Sequence, residues 1–242
     1  MCGTILQSKK QIVKEKFEAA LAKDDGISLW EHSVGTLEIC NHLINCIPDY
    51  DSDKAWQLRL AAFLHDIGKL DLGFQEFINK ESSNPIKHEK QSLNYKDWVT
   101  KNLDSIAEII RYYCEITPTE PNFEDIWGFI VSHHGIYYLE IKGDKWKVAR
   151  DWTKVNTADS ITVSLADLLW RYYPLGGAVI FADLIHSAHL NGNNFWNEIK
   201  KINTLECIKE KIAGRCQILV LEKGVDRREM ISLDVMKLLL LN

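Results

Sequence analysis

The chain has 242 residues, enough for one large domain that buries a proper core without disulfide staples. Its formal net charge of −5 and pI near 5.9 exclude a global positive field, so a polyanionic partner has to be met by a local basic surface or by bound cations. The six cysteines form no C-x-x-C pair, the N-terminus lacks the apolar stretch of a signal peptide and no apolar run reaches membrane-spanning length, so the expectation is a cytoplasmic protein with reduced thiols and no membrane contact.

Helical periodicity dominates. Residues 9–23 place Ile12, Phe17, Ala20 and Leu21 towards one face, and Asp24-Asp25-Gly26 ends the run. Residues 32–47 repeat the pattern with Val34, Leu37, Ile39, Leu43, Ile44 and Ile47, ahead of Pro48. Residues 53–67 open on an aspartate cap and turn almost wholly apolar, which predicts a central helix closed by Gly68. Residues 81–87 read as a loop, and further helices are expected over 91–101, 104–115, 123–134, 157–172, 176–190 and 195–213. Alternation around a Gly-Asp turn within 136–154 predicts a hairpin or structured loop, and similar alternation flanks Gly224-Val225-Asp226. The expected architecture is an all-α helical domain over 1–215 with a minor β-hairpin, followed by a C-terminal appendage or linker stub over 216–242.

His65-Asp66 closes the most apolar helix. A buried carboxylate needs a cationic or hydrogen-bonding partner, because leaving it unpaired is expensive. An isolated His-Asp pair reads as a cap beside a core histidine. Here, however, His32, His88 and the adjacent His133-His134 also sit near the edges of expected helices, and Asp183 lies on a later one. Imidazole with carboxylate is a ligand mix for Mn, Fe, Co, Ni or Zn. One carboxylate bridges two cations through its two oxygens, and two cations about 3.5–4 Å apart clamp the attacking and leaving oxygens of a phosphoryl transfer.

The string L-H-D-I-G-K at 64–69 resembles the signature of the HD superfamily of metal-dependent phosphohydrolases. The ordered set is His32; HDIGKLDLGFQ from His65 to Gln75; His88 with Ser92; HHG at 133–135; and Ala182-Asp183. It is similar to the stand-alone CRISPR-associated HD nuclease of type I interference systems. That resemblance implies an HD-domain helical bundle that hydrolyses phosphodiester bonds of single-stranded DNA, with RNA as a further substrate, using two divalent ions (Mn, Mg, Ni, Co or Fe) and metal-activated water. It implies one metal on His32, His65, Asp66 and Asp183, and a second on Asp66, His88, His133 and His134. It also implies Asp66 and Lys69 as catalytic residues, Lys69 as a phosphate contact, and a separate helicase subunit and guide-RNA surveillance complex as partners, since the chain holds no P-loop of its own.

Several residues have rival readings. Asp167, in a similar Ala-Asp-Leu context, competes with Asp183 for the late ligand. His42 matches no motif position, His186 follows Asp183 by three residues without being required, and Ser33 and Ser187 are read as structural, as are Phe74 and Gln75. Lys142, Lys145, Trp146, Lys147 and Arg150 directly follow the paired histidines; cations track a phosphate backbone and aromatic faces stack on unpaired bases, so they form a candidate nucleic-acid surface. Two other functions stay open: a phosphohydrolase of small or cyclic nucleotides, and a catalytically silent HD scaffold module.

Overall fold

Spacing decides burial from the first helix onwards. In α1 (Cys2–Glu18) Val13 and Phe17 are buried, as is Ala20 just beyond its end, whereas Ile12 is 51% exposed. Positions 13, 17 and 20 follow the four-then-three rhythm of one helical face; position 12 stands five before 17 and turns away. Val13, not the expected Ile12, is thus the inward residue. The computed structural model describes residues 2–47, 51–86, 88–133, 139–142, 145–148, 154–156, 162–164, 173–204, 207–208 and 211. The segment 216–242, and with it the expected appendage, lies outside the described residues.

Ser28 starts α2 (Leu29–Asn45) by accepting the Glu31 N–H at 3.1 Å, and Asp51 starts α3 (Ser52–Leu64) by accepting the Lys54 N–H at 2.9 Å. Every residue of α3 from Ala55 to Leu64 is buried, as its apolar run predicts. Arg59 reaches from α3 into the α2 interface, donating to Asn41 and Asn45 at 2.7 Å each. A 3₁₀ turn, Ile67–Leu70, leads into α4 (Leu72–Ile78), capped by Asp71. The short α5 (His88–Gln91) and a second 3₁₀ turn, Ser92–Tyr95, precede α6 (Lys96–Cys114).

The two helices expected over 91–101 and 104–115 are one. No glycine or proline interrupts α6, and Thr100 and Asn102 turn back to the carbonyls of Lys96 and Trp98 at 3.0 and 2.7 Å. Its buried face carries Val99, Ile106, Ile109, Ile110 and Cys114. α7 (Phe123–Ser132) is capped by Asn122 and ends at His133.

β1 (Leu139–Lys142) pairs antiparallel with β2 (Lys145–Val148), the hairpin that the alternation predicts, with Lys142 opposite Lys145 and Ile141 opposite Trp146. β3 (Lys154–Asn156) pairs with β4 (Thr162–Ser164), which corrects the helix expected from 157: the β-branched Thr162-Val163 extends instead. α8 (Tyr173–Leu190) packs on α2 and α3; α9 (Phe195–Ile199) ends in a turn, so the helix expected over 195–213 is interrupted at 200–204, and residues 207–208 and 211 are helical again. The core is therefore helix on helix, α3 at its centre, with Phe17 stacked on Phe63 at 5.3 Å. Among the described residues no helix is long and apolar enough to cross a membrane.

Candidate metal centre

α3 delivers His65 and Asp66 to the point where the helix tightens into the 3₁₀ turn. His65 and Asp66 are fully buried, and Gly68 is buried within the turn. A Cβ on Gly68 would stand 1.8 Å from the His88 carbonyl oxygen and 2.6 Å from the Ser92 nitrogen. The glycine thus lets α5 sit directly on the turn. Its N–H donates to Ser92 Oγ at 3.1 Å, and that hydroxyl donates to the His88 carbonyl at 3.0 Å. The spacing of HDIG, His88 and Ser92 is one piece of local architecture.

Asp66 faces two histidine groups with its two oxygens. Oδ2 lies 3.2 Å from His32 Nε2 and 3.3 Å from His65 Nε2. Oδ1 lies 2.8 Å from His88 Nε2 and 3.4 Å from His133 Nε2. Asp183, from α8, joins the first group with Oδ1 at 3.1 Å from His32 Nε2 and 3.8 Å from His65 Nε2. His32 and His65 themselves approach to 3.3 Å between their Nε2 atoms.

The orientation of the rings is set from behind. His65 Nδ1 donates to the Ala62 carbonyl at 2.8 Å, and His133 Nδ1 to the Ile130 carbonyl at 2.5 Å. A carbonyl only accepts, so the proton sits on Nδ1 and the Nε2 lone pair points into the site. Asp66 Oδ1 is buried and accepts no hydrogen bond of good geometry among the described residues. Buried lone pairs facing buried carboxylate oxygens are the donor set that a divalent cation satisfies, so the residues fit a metal. His32, His65 and Asp66, and separately Asp66, His88 and His133, bring ligating atoms close enough to hold one ion each.

Electrostatics agree with a cation-seeking site. Burial disfavours a charged His32, but Asp183 and Asp66 outweigh it and push the imidazole up to about 9. Burial also opposes ionisation of Asp66, yet Lys69, His65 and His88 hold its carboxyl well below the usual range, and His32 does the same for Asp183. Burial pushes the His65 imidazole down, whereas contact with Asp66 overcomes burial at His133 and raises it.

Lys69 turns inward. Its ammonium lies 2.7 Å from Asp66 Oδ2 and donates to the Ala22 carbonyl at 3.0 Å, above the Phe74 ring. Gln75 clamps the same loop, donating to the carbonyls of Leu21 and Lys69 at 3.0 and 2.6 Å and accepting the Leu21 N–H at 2.9 Å. Phe74 and Gln75 thus serve packing and hydrogen bonding, as expected. His42 bonds the Ile199 carbonyl at 2.9 Å and edges Trp196, in keeping with its reading as a non-ligand.

The fold also recruits residues that motif spacing leaves aside. His186 Nδ1 lies 3.1 Å from His32 Nδ1, and burial together with His32 holds its imidazole down to about 3. Ser187, read as structural, donates to Asp183 Oδ1 at 3.3 Å. The signal for both is the i+3 and i+4 spacing from Asp183, which puts them on its face of α8. A cleft of about 840 Å³ borders the site through Phe74 and the half-buried Lys23, with Phe77, Ser82 and Asn191 on its walls. His134, Arg150 and Asp167 lie outside the described residues; Lys142, Lys145, Trp146 and Lys147 are placed on β1 and β2 by backbone alone.

The model of the HD domain family matches residues 29–171, more than half of the chain, from α2 through the α7 histidines. The chain belongs to the HD domain family. HD domains are metal-dependent phosphohydrolases that bind divalent ions, and the two histidine groups around Asp66 are where this HD domain can hold them. Comparison with curated proteins and with solved structures returned no match. The matched span stops short of α8, so Asp183 and His186 reach the HD site from beyond it.

Proposed function

We propose that this HD domain is a nuclease that hydrolyses phosphodiester bonds of single-stranded DNA, with RNA as a further substrate, in CRISPR interference. The observation that carries the reading is the division of Asp66: one oxygen turned to His32 and His65, the other to His88 and His133. Two cations on such a divided carboxylate supply the Lewis acidity that activates water and balances the charge of an in-line displacement at phosphorus. His32, His65, Asp66 and Asp183 would hold one, and Asp66, His88, His133 and His134 the other. In that displacement the water gives up a proton to solvent as its oxygen bonds to phosphorus, the P–O3′ bond breaks, and the 3′ oxygen leaves with a proton from solvent. Lys69 keeps Asp66 ionised and aimed, so it acts as a positioning residue for the carboxylate. The hairpin follows the second histidine group in sequence and carries Lys142, Lys145, Trp146 and Lys147 ahead of Arg150, a composition suited to holding an unpaired strand. The expected partners are a separate helicase and a guide-RNA surveillance complex.

Hydrolysis of small or cyclic nucleotides is the second reading. The cleft of about 840 Å³ beside Phe74 favours it, being of small-ligand size. Cleavage of a labelled single-stranded DNA with Mn²⁺, Mg²⁺, Ni²⁺ or Co²⁺, beside nucleoside monophosphates and cyclic nucleotides, separates the two. Metal-dependent cutting of the oligomer, lost with EDTA and in Asp66→Ala, is the expected result. Turnover of nucleotides alone would replace the nuclease reading with the second one.

A further inference from the structure

We propose that His186 is the positioning residue of the first metal group, accepting the Nδ1–H of His32 and so fixing the tautomer that presents His32 Nε2 to Asp66 and Asp183. The inference rests on reading that group as a metal site. Two imidazole nitrogens 3.1 Å apart share one proton, and His32 Nε2 stands 3.1 and 3.2 Å from the two carboxylates. With Nε2 as the ligand atom, the His32 proton belongs on Nδ1, and His186 Nδ1 has to be the acceptor. His65 and His133 meet the same need with the carbonyls of Ala62 and Ile130, each on the helix before them. His32 lies in the first turns of α2, and its Nδ1 meets a side chain from α8, 154 residues later, instead.

Gly35 is the second, independent sign that this ring is built in. A Cβ there would stand 1.9 Å from His186 Nε2 and 2.2 Å from Cδ2, so the imidazole occupies the space a side chain at position 35 would take. Glycine weakens a helix interior relative to alanine, and here its place is explained by the ring it admits. His32 and His186 are both buried, with their ring centroids 5.2 Å apart, so water does not readily replace the acceptor.

The test is Mn²⁺ titration by calorimetry of the full chain, with folding checked by circular dichroism. His186→Phe keeps the ring volume and removes the acceptor; His186→Asn restores an acceptor through Oδ1. The expected result is a 10–100-fold loss of affinity in His186→Phe, the range for removing a partner behind a metal-bound histidine, and near wild-type affinity in His186→Asn. Equal losses in both variants, or none in either, would overturn the proposal. Nitrogen-15 spectra of the Zn²⁺-loaded wild type give a reading independent of whether the variants fold. A bare Nδ1 and protonated Nε2 on His186 support it, and a proton on His186 Nδ1 overturns it. A wild-type chain that binds no metal would instead sink the underlying metal reading.

Discussion

The two halves of the site are built by different means. His32, His65 and Asp183 come from α2, α3 and α8, long helices locked together across the core. His88 stands on the four-residue α5, its side chain 12% exposed, and only His133 of its described neighbours is anchored at a long helix end. The first half is held by helix packing; in the second, His88 depends on the close backbone approach at Gly68 and the Ser92 hydrogen bonds beside it. Asp66 alone serves both, so the halves can be disabled together or apart.

Asp66→Ala should have the largest effect. Both groups lose their shared ligand, activity should fall by about 100-fold or more, and the rise in melting temperature expected of the wild type on metal binding should be absent. Melting curves with Mn²⁺ and with EDTA check this. A variant that still gains stability from metal would mean that the halves hold ions without Asp66.

Gly68→Ala separates them. The added methyl has no room against the His88 carbonyl, so the turn or α5 must move, at a stability cost of about 1–3 kcal/mol. Of the two ions proposed, the one on His88 and His133 should be lost while the first group stays loaded, which elemental analysis after dialysis reads directly. His88→Ala should empty the same half at a smaller cost, within about 1 kcal/mol, because its ring is only partly enclosed by Phe74 and His133. Chemical denaturation of the metal-free proteins ranks the two. If His88→Ala destabilises as much as Gly68→Ala, the second half is held by packing after all.

The same contrast governs how much was legible in sequence. The HD pair, His88 with Ser92 and the glycine of HDIG declare themselves because they are one local motif, and α3 because burial on all sides leaves an unbroken apolar run. Ile12 misleads because hydrophobicity alone does not separate adjacent positions of a helix; only the spacing to Phe17 and Ala20 does. The division between 101 and 104 misleads because Asn102 suggests a break, while α6 absorbs it by back-bonding to the Trp98 carbonyl and burying one face. Lys69 reads as a phosphate contact in a string of letters, yet the loop clamped by Gln75 brings the Ala22 carbonyl to its ammonium, which lies against Asp66. The His32–His186 contact spans 154 residues, and its local trace is a glycine three positions after His32.

Ser187→Ala should have the smallest effect, and it probes how stiff the packed half is. The hydroxyl donates to Asp183 Oδ1 at 3.3 Å, the same oxygen that His32 Nε2 approaches at 3.1 Å. Losing one such hydrogen bond costs about 0.5–1.5 kcal/mol, which corresponds to roughly a two- to twelvefold weaker affinity if all of it falls on the bound ion. Packing of α8 against α2 and α3 holds the Asp183 backbone whether or not the hydroxyl is present, so the lower end is expected, with stoichiometry unchanged at two. A loss of the first ion in Ser187→Ala would show that Asp183 is aimed by its neighbour's hydrogen bond instead of by the helix that carries it. The contrast between a packed half and a hinged half would then have to be given up.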